Sequence, residues 1–226
     1  MAIPGDLVVT DDVPAAFADR VIDAFGARTV ETFSLALSGG DTARACYEHL
    51  AATAGSRIDW WKVDVYWGDE RCIPHDHEDS NYRLAREALL DRVGAANATH
   101  LMRCGEGPDP YQLRIGDLGR IDLVHLGMGA DGHTASLFPG SAALDADPGR
   151  LVVMNTDPTG THPYERMTLT LAGIARAARA VVTVTGADKA QCLARVAADD
   201  SLPASRIDAP SVVWLVDPAA ASYLDV

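Results

Sequence analysis

The sequence is short of the features that assign a protein at a glance. Its four cysteines, Cys46, Cys72, Cys104 and Cys192, are scattered and contain no C-x-x-C pair, which leaves a zinc ribbon or dithiol redox motif unsupported. Scattered thiols of this kind suit the reducing cytoplasm, an occasional bridge aside. No apolar run approaches the ~20 residues of a membrane span. The N-terminal segment carries Asp6, Asp11 and Asp12 where a signal peptide would be basic and then apolar. Basic residues are scarce throughout: 19 Lys and Arg stand against 32 Asp and Glu, a formal net charge of −13. Such a surface repels nucleic acid and anionic membrane, which removes both as general partners. An anionic substrate must therefore be held by donors converging in a local pocket. Repeats, low-complexity tracts and dividing linkers are also absent, and 226 residues suit one domain over 1–226, as a monomer or small homo-oligomer.

What is present is alternation. Apolar, β-branched runs at Leu7–Thr10, Thr32–Leu37, Val63–Trp67, 121–126, Leu151–Asn155, Met167–Leu171, Ala180–Thr185 and Val212–Val216 read as strands. Helical patterns run from Pro14 to about Ala27, from Ala43 to Thr53, onward from Asn81 as cap, over Ala187–Ala197 and after Asp217–Pro218. The segment 104–120 reads as a loop and a stretch too short to assign. Strands alternating with helices predict an α/β fold, a three-layer α/β/α sandwich with a mainly parallel, Rossmann-like sheet.

The chain is organised around residues 121–140, IDLVHLGMGADGHTASLFPG. A buried strand runs into Gly127, Gly129 and Gly132, then His133, at a predicted helix start. Glycines there let backbone approach a ligand closely, and ligands of α/β sheets bind at the carboxyl ends of strands. Gly127-x-Gly129-x-x-Gly132 mimics a dinucleotide fingerprint, but Pro139–Gly140 stops any helix after about two turns. The stretch therefore points away from a dinucleotide and to a small substrate beside His133.

Three further stretches lie at predicted strand ends. Ser38–Gly39–Gly40–Asp41–Thr42 offers successive N–H groups and two hydroxyls to an anion, and lacks the lysine of a nucleotide loop. Gly68–Asp69–Glu70–Arg71 presents the planar fork of Arg71, suited to phosphate; the alternative is a surface pair with Asp69 or Glu70. Lys189, early in a helix after Gly186, could add a cation. His75-x-His77-x-Asp79 lacks the register of a metal site and reads as a solvated loop, so no metal is expected. Trp67 reads as core.

Taken in order, LSGG at 37–40, WGDER at 67–71, IP…H…SNY at 73–82, LGMGADGHTASLFPG at 126–140, R-x-TLT at 166–170, G-x-x-K at 186–189, PAS at 203–205 and WLVD at 214–217 resemble the 6-phosphogluconolactonase family of the oxidative pentose phosphate pathway. The resemblance implies a fold like that of sugar-phosphate isomerases and deaminases, and hydrolysis of a phosphorylated sugar lactone without cofactor. It implies that Ser38, Gly39, Gly40, Arg71 and Lys189 hold phosphate, with Thr42 adjoining, that Arg166 supports the substrate, and that His133 is the base. The chain departs from the family at Asp157–Pro163, where a Lys-Pro-Pro stretch is usual; His162 is the candidate stand-in.

The residues suit that chemistry on their own terms. Attack of water on a lactone carbonyl needs a base, and a neutral histidine, with a reference pKa near 6.5, serves at cytosolic pH. Asp131 can orient its ring, and N–H groups of the Gly127–Gly132 turn, Gly129 among them, can stabilise the oxyanion. The nearest rival, an amino-sugar-phosphate deaminase, resembles this chain in the glycine loop but carries a glutamate five residues beyond the histidine, where Phe138 stands here. The other rival, a sugar-phosphate sensor without catalysis, would lack the base.

Overall fold

The computed structural model describes residues 3–198 and 201–224. In chain order the elements are β1 (Asp6–Val9), α1 (Val13–Gly26), β2 (Phe33–Leu37), α2 (Asp41–Thr53), β3 (Val63–Trp67), β4 (Asp69–Arg71), α3 (Asn81–Ala85), β5 (Ala98–Thr99), α4 (Asp109–Leu118), β6 (Leu123–Gly127), β7 (Val152–Asn155), β8 (Arg166–Leu169), α5 (Leu171–Ile174), β9 (Ala180–Val184), α6 (Ala190–Ala198) and β10 (Val212–Val216). Seven strands form one parallel sheet in the order β1-β10-β9-β6-β2-β3-β5, with helices around it, as the alternation predicts. Strands β2, β9 and β10 are buried at every position, the pattern of parallel strands covered on both faces. Trp67, Trp214, Phe17, Phe33 and Tyr47 are among the largest side chains in the core.

The strand order fixes where a ligand can sit. From β2 the chain moves outward to β3 and β5, and from β6 it moves the opposite way, to β9 and β10. The connections leaving β2 and β6 therefore diverge, opening a crevice at their carboxyl ends. A small antiparallel sheet, β4-β8-β7, carries the Asp69–Arg71 segment from β3 towards that edge.

Several local expectations are corrected. No helix follows Gly132: residues 134–137 make a tight turn closed by Leu137 N–H to Thr134 O at 2.9 Å, with Ala135 at φ 47°. The Thr134 hydroxyl donates to Gly127 O and the Ser136 hydroxyl to Asp69 Oδ2, so side-chain bonds replace a helical ladder. The cap of α3 is Ser80, not Asn81; its hydroxyl accepts from Arg83 N–H. Residues 109–118 form α4, a stretch too short to assign from its sequence pattern; Tyr111 and Ile115 are buried one turn apart. The described residues after β10 form turns, not a helix, although Asp217 accepts from Ala220 N–H as an N-cap does; its other oxygen accepts from Gly186 N–H. Cys72 and Cys104 form a disulfide, while Cys46 and Cys192 are free and buried. That pair lies 32 residues apart in sequence, and nothing in its spacing signalled the contact. No helix among the described residues is long and apolar enough to cross a membrane.

Candidate active site

A cavity of about 470 Å³ opens at the diverging ends of β2 and β6, and its walls include Ser38, Gly39, Gly40 and Thr42, together with Arg71, Gly129, His133, Arg166 and Lys189. The fold thus brings together every one of those predicted substrate-binding residues. Asp131 stands behind His133: His133 Nδ1 lies 2.6 Å from Asp131 Oδ1, and the His133 backbone N–H donates to the same oxygen at 3.1 Å. Burial opposes ionisation of Asp131, but the hydrogen bond and charge of His133 outweigh it and bring its pKa down to about 2. A carboxylate there fixes the proton on Nδ1 and leaves Nε2 as acceptor. Gly129 makes the pair possible, since a Cβ at that position would lie 2.1 Å from His133 Nδ1.

The glycine turn does less than its N–H groups suggested. Gly129 N–H donates to His133 O, Gly132 N–H to Gly129 O, and His133 N–H is held by Asp131. Gly129 therefore gives space, while its N–H is engaged inside the turn and is not free for an oxyanion.

The β2 loop is similarly specialised. Ser38 N–H donates to the Tyr47 hydroxyl at 2.7 Å, and that hydroxyl lies 2.9 Å from His125 Nδ1. His125 Nε2 in turn meets Thr183 Oγ1 at 2.9 Å. Burial drives the His125 pKa down to about 3, so this ring is a neutral strut under the loop. The Ser38 amide is thus not available to a ligand; the start of α2 is, because Gly40 precedes it without a side-chain cap and its first N–H groups face the cavity end. Gly39 cannot carry a side chain, for a Cβ would meet Asn81 Oδ1 at 1.9 Å. The Thr42 hydroxyl is 2.6 Å from that of Thr185. Lys189 Nζ lies 3.0 Å from Asp188 Oδ2, which offsets part of its charge.

The arginines are different. Arg71 on β4 and Arg166 on β8 are directly opposed cross-strand partners. Neither makes an ion pair with an acid among the described residues, and the Nε of each is buried without a hydrogen-bond partner. Arg71 donates through one terminal nitrogen to the Asp79 carbonyl. Arg166 is only 5% exposed; burial first, then the neighbouring Arg71 charge, lower its pKa from the ordinary arginine value. The pairing of Arg71 with Asp69 or Glu70 does not occur. Asp69 accepts from Ser136. Glu70 accepts from the N–H groups of Arg71, Asn81 and Tyr82 and from the Ser80 hydroxyl, and so ties β4 to α3. Burial raises its pKa, against the lowering effect of those bonds. Two like charges directly opposed, Arg166 buried and Arg71 half-buried, are destabilising unless an anion lies between them.

Sequence reasoning held His162 only as a stand-in for the missing lysine. In the structure its ring stacks on Phe138, with centroids 5.0 Å apart and planes at 19°, and meets the His133 ring edge-on at 4.8 Å. Asp131, His133 and His162 are also the group among the described residues whose ligand-type atoms converge within 4.8 Å. His75 and His77 do not converge: His75 Nε2 lies 3.1 Å from Met102 O, and His77 Nδ1 accepts from Asp79 N–H.

A family model described as glucosamine-6-phosphate isomerases/6-phosphogluconolactonase matches residues 9–214. The 6-phosphogluconolactonase of Nostoc sp. is 38% identical over 213 residues, covering 86% of this chain and 85% of its own. That of Mycobacterium tuberculosis is 33% identical over 238 aligned positions, with 95% of each chain covered. The crystal structure of 6-phosphogluconolactonase from Leishmania guyanensis superposes with a TM-score of 0.85 at 27% identity, over 98% of this chain and 99% of the other. A monomeric glucosamine-6-phosphate deaminase shares the fold at TM-score 0.79 and 18% identity, so the fold alone does not separate the two activities. The chain belongs to the glucosamine-6-phosphate isomerase/6-phosphogluconolactonase family.

Proposed function

We propose that the chain is a 6-phosphogluconolactonase, hydrolysing 6-phospho-D-glucono-1,5-lactone to 6-phospho-D-gluconate in the oxidative pentose phosphate pathway. The observation that carries the reading is the pair Arg71 and Arg166, opposed across two strands with no acidic partner among the described residues, in one cavity with His133, whose ring Asp131 holds from behind. Guanidinium groups without an acidic partner are suited to an anion held bidentately, and a histidine oriented by a carboxylate is suited to take a proton from water.

In this mechanism the substrate phosphate lies against Arg71 and Arg166, with Lys189, the Ser38–Gly40 loop and the start of α2 at its margin. That grip places the lactone carbonyl beside His133. His133 Nε2 accepts a proton as water attacks, Asp131 steadies the imidazolium, and the same proton is returned to the ring oxygen as the C–O bond opens. The deaminase reading is disfavoured by Phe138, 1% exposed and stacked on His162, where an acid would be needed. Phosphorylated sugars do not cross membranes unaided, so the enzyme works where its substrate is made, which we take to be the cytoplasm. The test is loss of freshly prepared 6-phosphoglucono-δ-lactone with and without the protein, since this lactone also hydrolyses unaided. Enzyme-dependent loss supports the reading; a rate equal to the spontaneous one overturns it.

A further inference from the structure

Residues 157–162 form a loop built to present one side chain. The Asp157 carboxylate accepts from the Thr159 N–H at 2.8 Å, from the Thr159 hydroxyl, and from the His162 N–H at 3.0 Å. This closes the loop on itself and fixes the backbone of His162. The His162 ring is then fixed from two sides, flat against Phe138 and edge-on to His133. Phe138 is itself buried, being 1% exposed.

The His162 side chain is 31% exposed, and among the described residues its ring nitrogens have no hydrogen-bond partner; Asp131 Oδ2 lies 3.9 Å from Nε2, beyond hydrogen-bond range. The ring lines the same cavity as His133. Meanwhile the N–H groups of Gly129, Gly132 and His133 are engaged within their own turn, so the glycine turn does not offer them to a developing oxyanion.

We propose that His162 is a catalytic residue of this chain, its ring N–H donating to the lactone carbonyl oxygen as negative charge develops there. The proposal rests on the lactonase reading above. Water forms a bond to the carbonyl carbon and loses a proton to His133 Nε2. The carbonyl π pair moves onto oxygen, where His162 hydrogen-bonds it without giving up its proton. The pair then returns, the bond to the ring oxygen breaks, and that oxygen takes the proton from His133. His162 is neutral in this role, as burial and the adjacent His133 lower its pKa. A neutral imidazole is an effective electrophile of this kind.

The experiment compares His162→Phe and His162→Gln with the unaltered protein on freshly made 6-phosphoglucono-δ-lactone, correcting for spontaneous hydrolysis. Folding of each is verified by its thermal transition. Phenylalanine keeps a ring against Phe138 and removes the donor; glutamine removes the ring and keeps an N–H. Loss of one oxyanion donor costs about 10²–10³-fold in kcat. The expected result is a loss of about 10²-fold for His162→Phe with KM little changed, and a smaller loss for His162→Gln. Near-normal kcat in His162→Phe overturns the proposal and makes the ring a packing element; a loss in His162→Gln as large as or larger than that in His162→Phe overturns it too, because the retained N–H would then count for nothing. In either of those cases the unaltered protein remains active and the lactonase reading stands; an inactive unaltered protein removes both together.

Discussion

The two ends of the cavity are built on opposite plans. At the end of β6, His133 sits in a turn whose polar groups are matched to one another: Asp131 holds both its Nδ1 and its backbone N–H, and its carbonyl takes Gly129 N–H. At the β4–β8 end, Arg71 and Arg166 face each other with buried Nε atoms left over. A self-satisfied turn holds one atom, Nε2, in a fixed place, as proton transfer requires. Unsatisfied cations hold a place for a charge arriving from outside, as binding requires. The difference separates a proton end from an anion end, and the two should fail in different ways when altered.

The largest effect is expected at the proton end. His133→Ala should lower kcat by about 10²–10⁴-fold with KM little changed, measured by steady-state kinetics above the spontaneous rate. In the unaltered protein the rate should fall on acidification, because a protonated ring cannot accept the proton of water. Asp131, with its pKa down at about 2, stays ionised across that range. A rate that holds on acidification would remove His133 as the acceptor and dissolve the division of roles.

At the anion end, Arg71→Met and Arg166→Met should each raise KM, by about 10- to 100-fold if a charge-assisted hydrogen bond of about 1.5–3 kcal/mol is lost. The kcat loss should be smaller, arising only where the phosphate grip orients the lactone. A variant that lowers kcat with KM untouched would move that arginine to the proton end.

Much of this was legible in the chain, and for physical reasons. Continuous apolar runs made β2, β6, β9 and β10 plain, since strands buried on both faces need them. His133 and Arg71 stood out because each follows a strand end directly, where α/β sheets place ligands. What escaped depends on contacts between distant segments. Asp69 and Glu70 look like partners for Arg71 until Ser136, Asn81 and Tyr82 are brought to them by the fold. The helix expected after Gly132 fails because Thr134 and Ser136 bond elsewhere, a competition local propensity does not register. Helix α4 was hidden by Pro108, Pro110 and Gly116, although the spacing of Tyr111 and Ile115 was a usable signal. His162 sits in an irregular Pro/Gly/Thr stretch, where the sequence offers it only as a stand-in for a lysine; its stacking on Phe138 depends on the fold.

Smaller effects sharpen the division. The Cys72–Cys104 bridge adjoins the anion end, following Arg71, yet the β4–β8 register continues through Cys72 N–H to Glu165 O at 2.9 Å. Replacing both cysteines by serine should reduce stability by about 2–4 kcal/mol, read from denaturant unfolding, and leave KM within a factor of a few. A large rise in KM would make the bridge part of the anion grip. Least of all is expected from exhaustive chelation, which should leave the rate unchanged. Loss of activity with recovery on adding a divalent ion would instead make Asp131, His133 and His162 a working metal site.

The most direct test sets both ends against two substrates. kcat/KM is measured for the phosphorylated lactone and for unphosphorylated glucono-δ-lactone, in the unaltered protein, in His133→Ala and in Arg166→Met. The account predicts strong preference for the phosphorylated lactone in the unaltered protein, the same ratio at a much lower rate in His133→Ala, and a collapsed ratio in Arg166→Met. Equal efficiency on both lactones in the unaltered protein, or a ratio that collapses in His133→Ala and survives in Arg166→Met, would contradict it.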